Sequence, residues 1–249
     1  MDTKATLEPP SVGRRTAEHR IFSASAILLL LLAAVGFTAS VIARTRGGVD
    51  LVTPRFVLHG TAGFLWLSFY VLQTQLVLRG RVGTHRAMGK IGVGLILLLG
   101  LATAYLLLST PSAYPEAPID AVGPAIGMHL KGLTFDVLVV ALALAYRRRP
   151  FVHKRLMYFA TVGIASPGFT RLGYVFGDGE APGFSIALAL AFVAVLFVYD
   201  LRAQTGLRRW MMPLCVVALF LWGPVISLVM PGVFTSQAWY DLLLRMAGR

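Results

Sequence analysis

The chain has 249 residues, of which 57% are hydrophobic and only 14% are charged, and its formal net charge is +12. A soluble domain carries about 25% charged residues, so this composition excludes a water-exposed globular surface and favours a chain that lies in lipid. The single cysteine, Cys215, excludes a disulfide framework and a multi-cysteine metal site.

The chain order predicts a polar tail, seven apolar spans and a short final segment. Residues 1–20, with Pro9 and Pro10, are predicted to form a disordered cytoplasmic tail, residues 21–230 a transmembrane domain, and residues 231–249 a segment at the outer face. Each span approaches the 20 or so residues needed to cross a bilayer. Their approximate limits are Ile21–Ala43, Phe56–Leu78, Met88–Leu108, Gly123–Tyr146, Leu156–Phe176, Gly183–Leu201 and Trp210–Met230. Within lipid these spans must be helices, since an open sheet edge would leave backbone groups unpaired.

The distribution of basic residues predicts the orientation. If the N-terminus is cytoplasmic, the cytoplasmic segments hold most of the 23 Lys and Arg residues, whereas the outer loop 109–122 holds none. Cytoplasmic loops of membrane proteins carry such an excess, which also explains the net charge without a nucleic-acid partner. The residues concerned are Lys4, Arg14, Arg15, Arg20, Arg79, Arg81, Arg86, Lys90, Arg147, Arg148, Arg149, Lys154, Arg155, Arg202, Arg208 and Arg209. We therefore expect a multi-pass membrane protein with its N-terminus in the cytoplasm.

The second and third spans share a pattern with the fourth and fifth. Each pair begins near a histidine, His59 or His129, and returns through a basic turn to a second one, His85 or His153. In both turns, arginines stand six and four residues before the second histidine. The two pairs run in the same direction, so the pattern suggests a parallel repeat about an axis along the membrane normal.

Four of the five histidines thus stand at the starts of four consecutive predicted helices. His59 and His129 are expected near the outer interface, and His85 and His153 near the cytoplasmic one. Paired neutral imidazoles on facing helices are what axial ligation of a haem, or a histidine-rich metal site, would use. Arginines beside the second pair would then neutralise haem propionates. The alternative, which the pattern leaves open, is that these amphipathic side chains simply lie at the interfaces.

This arrangement resembles the di-haem transmembrane cytochromes of the ascorbate-reducible type, in which four histidines on four consecutive helices ligate one haem near each surface. The resemblance implies that His59 pairs with His129 and His85 with His153. The present histidines stand at the helix starts, however, rather than a turn or more inside. The segments beginning at His85 (His-Arg-Ala-Met-Gly) and His153 (His-Lys-Arg-Leu-Met), with the ending Tyr199–Arg202, are also similar to a group of bacterial multi-pass membrane proteins with no assigned activity.

Asp136 is the one acidic residue deep in a predicted span. A charge near the bilayer centre costs about 2.5–3.5 kcal/mol on insertion scales, so it normally faces protein or water and has a partner. Arg171 is predicted to be a better partner than Lys131, which lies about 140° away around the same helix. A protonated Asp136 hydrogen-bonded within the bundle, and a proton or substrate relay, are the alternatives.

These patterns predict an all-α integral membrane protein whose second to fifth helices form a four-helix core. Its expected function is b-type haem electron transfer, with the bilayer as its environment and any redox partner or homo-oligomer left open. The alternative is a non-catalytic or transport-type protein with a polar cavity around Asp136, Lys131 and Arg171. No phosphate-binding loop, zinc-protease motif or nucleophile elbow is present, so the sequence predicts no enzyme class.

Overall fold

A computed structural model of the chain describes residues 12–48, 53–113, 119–215, 217, 241–242 and 245. The side chains of residues 12–15, 111–113, 119–128, 131 and 207 lie outside this description.

All regular secondary structure in the described ranges is helical. The elements are α1 Val12–Arg46, α2 Pro54–Leu78, α3 Val82–Ala113, α4 Ile119–Ala145, α5 Pro150–Thr170, the single turn α6 Gly173–Phe176 and α7 Pro182–Ala203, followed by a 3-10 turn at Gly206–Trp210. Three of the long helices, α2, α5 and α7, have proline at their start, where its missing N–H costs no intrahelical hydrogen bond. The all-α class is therefore as predicted.

Several of the predicted limits differ from those of the helices. Helix α3 runs from Val82 to Ala113 rather than from Met88 to Leu108, and α5 begins at Pro150 rather than at Leu156. Helix α1 begins at Val12, so residues 12–20 are helical and do not belong to a disordered tail. Helix α5 ends at Thr170, and α6 is a separate turn within the predicted fifth span. Helix α7 is the predicted sixth span. Most of the seventh span, Trp210–Met230, and most of the final segment, 231–249, lie outside the described residues.

Four of the described helices, α1, α2, α3 and α7, are long and apolar enough to cross a membrane. Large apolar side chains point outward along them: Leu101 is 71% exposed, Leu97 60% and Ile186 60%. Polar and charged side chains such as Arg155 and Asp200 are instead fully buried. An apolar exterior around a partly polar interior is suited to lipid and indicates a membrane protein.

Helices α2 to α5 form a ring. Successive helices pack against each other, and α5 closes the ring with a looser contact to α2. Across the diagonals, α2 with α4 and α3 with α5, the described residues make less contact still. Helix α1 lies against both α2 and α5 and so covers the loose seam, while α7 packs on the outside of α5.

Small residues let α1 approach α5 closely. A Cβ atom added to Gly168 would lie 2.6 Å from the Cα of Ala33, and one added to Gly36 would overlap the carbonyl oxygen of Gly168. Contacts between small residues are a common way for membrane helices to gain packing area. Any larger side chain at either glycine would push α1 away from the seam.

A glycine also sets the turn between α2 and α3. Gly80 has φ +74°, a left-handed conformation that favours glycine. The N–H of Arg81 donates to the carbonyl of Leu76 at 2.8 Å, and that of Gly80 to Val77 at 3.0 Å. These two bonds form a Schellman motif, which ends α2 and returns the chain along α3.

A buried ion network joins α1, α5 and α7. The guanidinium of Arg155 makes two bonds to the Asp200 carboxylate, one from Nε at 2.7 Å and one from Nη2. Its Nη2 also donates to Glu18 at 2.8 Å, and its Nη1 donates to the Phe151 carbonyl at 3.1 Å. Glu18 also accepts from Lys154 at 2.5 Å. Two positive and two negative side chains therefore neutralise one another where Arg155 and Asp200 have no solvent exposure.

Replacing Asp200 with Ala should strongly destabilise the protein, because Arg155 would keep its buried charge and lose two acceptor bonds. Breaking one side of a buried pair costs about 3–5 kcal/mol. Thermal or chemical unfolding in detergent measures the loss. The control is Glu180→Ala, which removes the half-exposed pair with Arg44 and should cost about 0–1 kcal/mol. Equal losses in the two variants would contradict the structural role given to Asp200.

Candidate functional site

The four histidines singled out in the sequence lie on the four helices of the ring. His59 on α2 and His129 on α4 are on one diagonal, and His85 on α3 and His153 on α5 are on the other. The second pair lies at the end that carries the turns Arg79–Arg81 and Arg147–Arg149, which we call the basic end. Helix α4 begins at Ile119, so His129 lies almost three turns inside its helix rather than at the start.

The rings of His59 and His129 are direct neighbours. Their centroids are 6.1 Å apart and their planes are inclined by 78°. Two imidazoles that share one metal, with metal–nitrogen bonds of about 2.0–2.1 Å, have centroids about 6 Å apart. The spacing matches that value, as it also matches an ordinary T-shaped ring contact, and the two residues that the sequence pairs are neighbours in the structure.

The hydrogen bonds around His59 determine its tautomer. Thr103 donates its one hydroxyl hydrogen to the Leu99 carbonyl at 2.7 Å. Its oxygen, 3.1 Å from the Nδ1 atom of His59, must therefore accept from Nδ1–H. The Nε2 atom of His59 then carries the lone pair, which is the form that binds a metal.

His153 has the same tautomer for a similar reason. Its Nδ1 atom lies 2.8 Å from the carbonyl oxygen of Ala143, and a carbonyl can only accept, so Nδ1 carries the hydrogen. Its Nε2 atom is left as the acceptor or ligand. Ala143 follows His129 by 14 residues on α4, so the two histidine levels are separated by about 21 Å along the helix axis.

A large cavity opens at the basic end of the ring. Its volume is about 1120 Å³, slightly above the range of about 300–1,000 Å³ that is usual for small-molecule sites. His85 and His153 both line it, as do Trp66, Phe69 and Tyr70 of α2. These aromatic walls suit a flat apolar molecule, and they place the basic-end histidine pair beside one shared space.

Two buried polar atoms in the cavity wall have no hydrogen-bond partner among the described residues: Nδ1 of His85 and Nε2 of Gln73. Gln73 is only 8% exposed. Buried polar atoms are nearly always bonded, so such atoms indicate a site that a ligand or water completes. The rim of the cavity is basic and includes Arg86, Lys90, Arg147, Arg148 and Lys154.

A haem would need fewer protein ligands here than a bare metal ion. The described residues hold no group of three or more His, Cys, Asp and Glu side chains that could form a metal site alone. A haem supplies four nitrogen ligands itself and needs only two axial residues. For such a group, the histidine pairs would supply axial ligands, the aromatic walls an apolar contact surface and the cationic rim counter-charges for the propionates.

Asp136 and Arg171, which the sequence predicts to pair within the membrane, do not line this cavity. Asp136 packs against Gly163 of α5, where an added Cβ atom would lie 2.9 Å from the carboxylate. Arg171 follows Gly163 by eight residues, which corresponds to about 12 Å along a helix. Its guanidinium donates to the Pro167 carbonyl at 2.8 Å and lies 3.9 Å from the Glu180 carboxylate. The structure thus gives Arg171 a different carboxylate from the predicted Asp136. The side chain of Lys131 lies outside the described residues.

The ion network goes beyond what the sequence predicts. The sequence pattern places Arg155 and Lys154 in a basic loop and Glu18 in the tail. One available signal was that Asp200 is the only acidic residue of the predicted sixth span, and an acid in an apolar helix needs a cationic partner. Nothing local in the sequence identifies that partner as Arg155, which is 45 residues away.

No protein-family model, curated protein or solved structure matches the chain. The resemblances drawn from the short histidine segments therefore stay predictions.

The unpartnered amide of Gln73 allows a test of the cavity. We expect Gln73→Leu to leave the thermal stability in detergent unchanged or higher, because it removes a buried donor that makes no bond. The matched variant Gln75→Leu loses a 2.8 Å bond to Ser23 and should cost about 0.5–1.5 kcal/mol. A comparable loss in Gln73→Leu would show that its amide has a partner in the folded protein.

Proposed function

We propose that the protein is a multi-pass membrane protein that binds two b-type haems and transfers electrons between the two membrane surfaces. The observation that carries this proposal is the placement of two histidine pairs on the two diagonals of one helix ring, at levels about 21 Å apart. A single diagonal pair would be consistent with packing alone. Two pairs at opposite ends match the requirement for carrying charge across a bilayer.

His59 with His129, and His85 with His153, are the proposed axial ligands. The Nδ1–H bonds to Thr103 and to the Ala143 carbonyl would hold two of the rings in place and raise the basicity of their Nε2 atoms. A bound haem supplies one-electron chemistry at its iron. The protein sets the orientation of the rings, the polarity around them and the access of water.

The remaining lining residues have distinct roles in this proposal. Phe69 and Tyr70 would pack on the porphyrin face and exclude water. Arg86, Arg147 and Arg148 at the rim would bind the propionate groups through charge-assisted hydrogen bonds. The basic rim would also attract an acidic redox partner at the same surface.

The proposed setting is a bacterial cytoplasmic membrane with the basic end and the N-terminus in the cytoplasm, supported by the excess of Lys and Arg at that end. The alternative function, a polar transport cavity around Asp136, receives less support. Among the described side chains, neither Asp136 nor Arg171 lines the cavity of about 1120 Å³, and Asp136 packs against α5.

The visible spectrum of the purified protein, expressed with added haem precursor, tests the function. We expect a Soret band, an α band that appears on reduction, and two haems per chain. His59→Ala or His129→Ala should leave one haem, and His85→Ala or His153→Ala should leave the other, so each pair is the control for its counterpart. A folded, monodisperse protein without a Soret band would rule the proposal out.

Cysteine labelling tests the orientation separately. On a Cys215→Ser background, Arg81→Cys at the basic end should react with a membrane-impermeant maleimide only after the cells are opened. Asp178→Cys, in the exposed loop before α7, should react on intact cells. The reverse pattern would place the N-terminus outside and contradict the orientation while leaving the haem proposal standing.

A further inference from the structure

A second, smaller cavity lies at the basic end, outside the helix ring. Its volume is about 370 Å³, and it is lined by Arg149, Pro150, Phe151, Val152, Arg208 and Met211. It lies between the start of α5 and the 3-10 turn that follows α7. No histidine lines it, so it is separate from the proposed haem site.

Its two guanidiniums differ from that of neighbouring Arg155. The donors of Arg155 are used by Glu18, Asp200 and a backbone carbonyl, as described above. Arg149 and Arg208 are exposed, and they lie over the rings of Tyr146 and Phe151 at 5.7 and 5.4 Å. Among the described residues, the ion pairs at the basic end join Glu18, Lys154, Arg155 and Asp200 and do not include Arg149 or Arg208. Two cations at the edge of one cavity thus keep donors for an anion.

An exposed apolar strip continues from the cavity. Met211 lines the cavity, and Leu214 and Val217 follow at three-residue steps along the next helical residues, with 65% and 53% of their surface exposed. Residues three apart lie close together on a helix surface. A molecule bound at the two arginines would therefore have an apolar surface beside it for a hydrocarbon chain.

Exposed aromatic side chains near the cavity are typical of the membrane interface. Trp210, which directly precedes Met211, is 53% exposed, and Tyr146, whose ring lies under the Arg149 guanidinium, is 40% exposed. Exposed Trp and Tyr side chains are enriched where the headgroups of a bilayer begin. A phosphate group would meet Arg149 and Arg208 at this depth, with its acyl chains directed toward the strip.

We propose that this cavity binds an anionic phospholipid, with the phosphate held between Arg149 and Arg208 and an acyl chain along Leu214 and Val217. Planar guanidiniums match phosphate oxygens in geometry and charge, and basic pockets beside membrane helices are suited to anionic headgroups. The proposal depends on the protein lying in a bilayer, and it does not depend on haem. The lipid would join α5 to the segment that follows α7.

Native mass spectrometry of the full-length protein in mild detergent tests the proposal with dioleoyl phosphatidylglycerol and dioleoyl phosphatidylcholine. The wild type should retain phosphatidylglycerol preferentially. The double variant Arg149→Gln/Arg208→Gln should bind it about tenfold more weakly, because charge-assisted bonds are lost. The control Arg79→Gln/Arg81→Gln removes the same charge from exposed residues that line neither cavity, and should change the affinity by less than about twofold.

A second variant separates the headgroup from the chain. Leu214→Ser should weaken binding of the long-chain lipid while leaving binding of glycerol phosphate unchanged. Strong binding of glycerol phosphate or inorganic phosphate by the wild type, with no gain from the acyl chains, would instead identify a soluble-anion site. Equal retention of the two lipids, or equal losses in the two double variants, would overturn the proposal. The absence of a Soret band would contradict the haem proposal and would not bear on the lipid proposal.

Discussion

The neutralisation of Arg155 is the constraint on which the arrangement of this protein depends. A guanidinium with no solvent exposure must be surrounded by acceptors, since an uncompensated charge costs far more in a low-dielectric interior than a polar side chain does. Glu18 and Asp200 meet that need from α1 and α7. Because each carboxylate comes from a different helix, the pairs fix the positions of both helices against α5. Lys154 balances the second negative charge and also lines the cavity.

The position of α1 then determines the shape of the site. The ring is loosest between α2 and α5, and α1 covers that seam through Gly36, Gly168 and the bond to Glu18. His19 and Phe22 of α1 consequently form part of the cavity wall. The diagonals of the ring make little contact, and at the basic end the ring opens into the cavity that both His85 and His153 line. Packing outside the ring thus preserves the space inside it.

Arginines at the basic end have three different roles that composition alone does not separate. Arg155 is a buried structural cation, Arg86 and Arg147 belong to the rim of the large cavity, and Arg149 and Arg208 border the smaller one. The positive-inside rule explains why the end is basic. It does not determine which residue pairs internally, which would bind propionates and which would bind a lipid phosphate. Those roles follow from the distance to carboxylates and from the depth of each side chain.

The sequence by itself determined the helical class, the approximate positions of most helices and the neighbouring placement of His59 and His129, because hydropathy, proline and helical periodicity are local properties. The diagonal placement of the second pair followed from the same periodicity and the alternation of helix direction. Only the tertiary structure decided the partner of Arg155, the helical start of α1 and the hydrogen bonds that leave Nε2 of His153 free. These depend on contacts between residues far apart in the chain, such as the 137-residue separation of Glu18 and Arg155. Side-chain charges show that partners are needed, whereas only the packing of helices determines which ones meet.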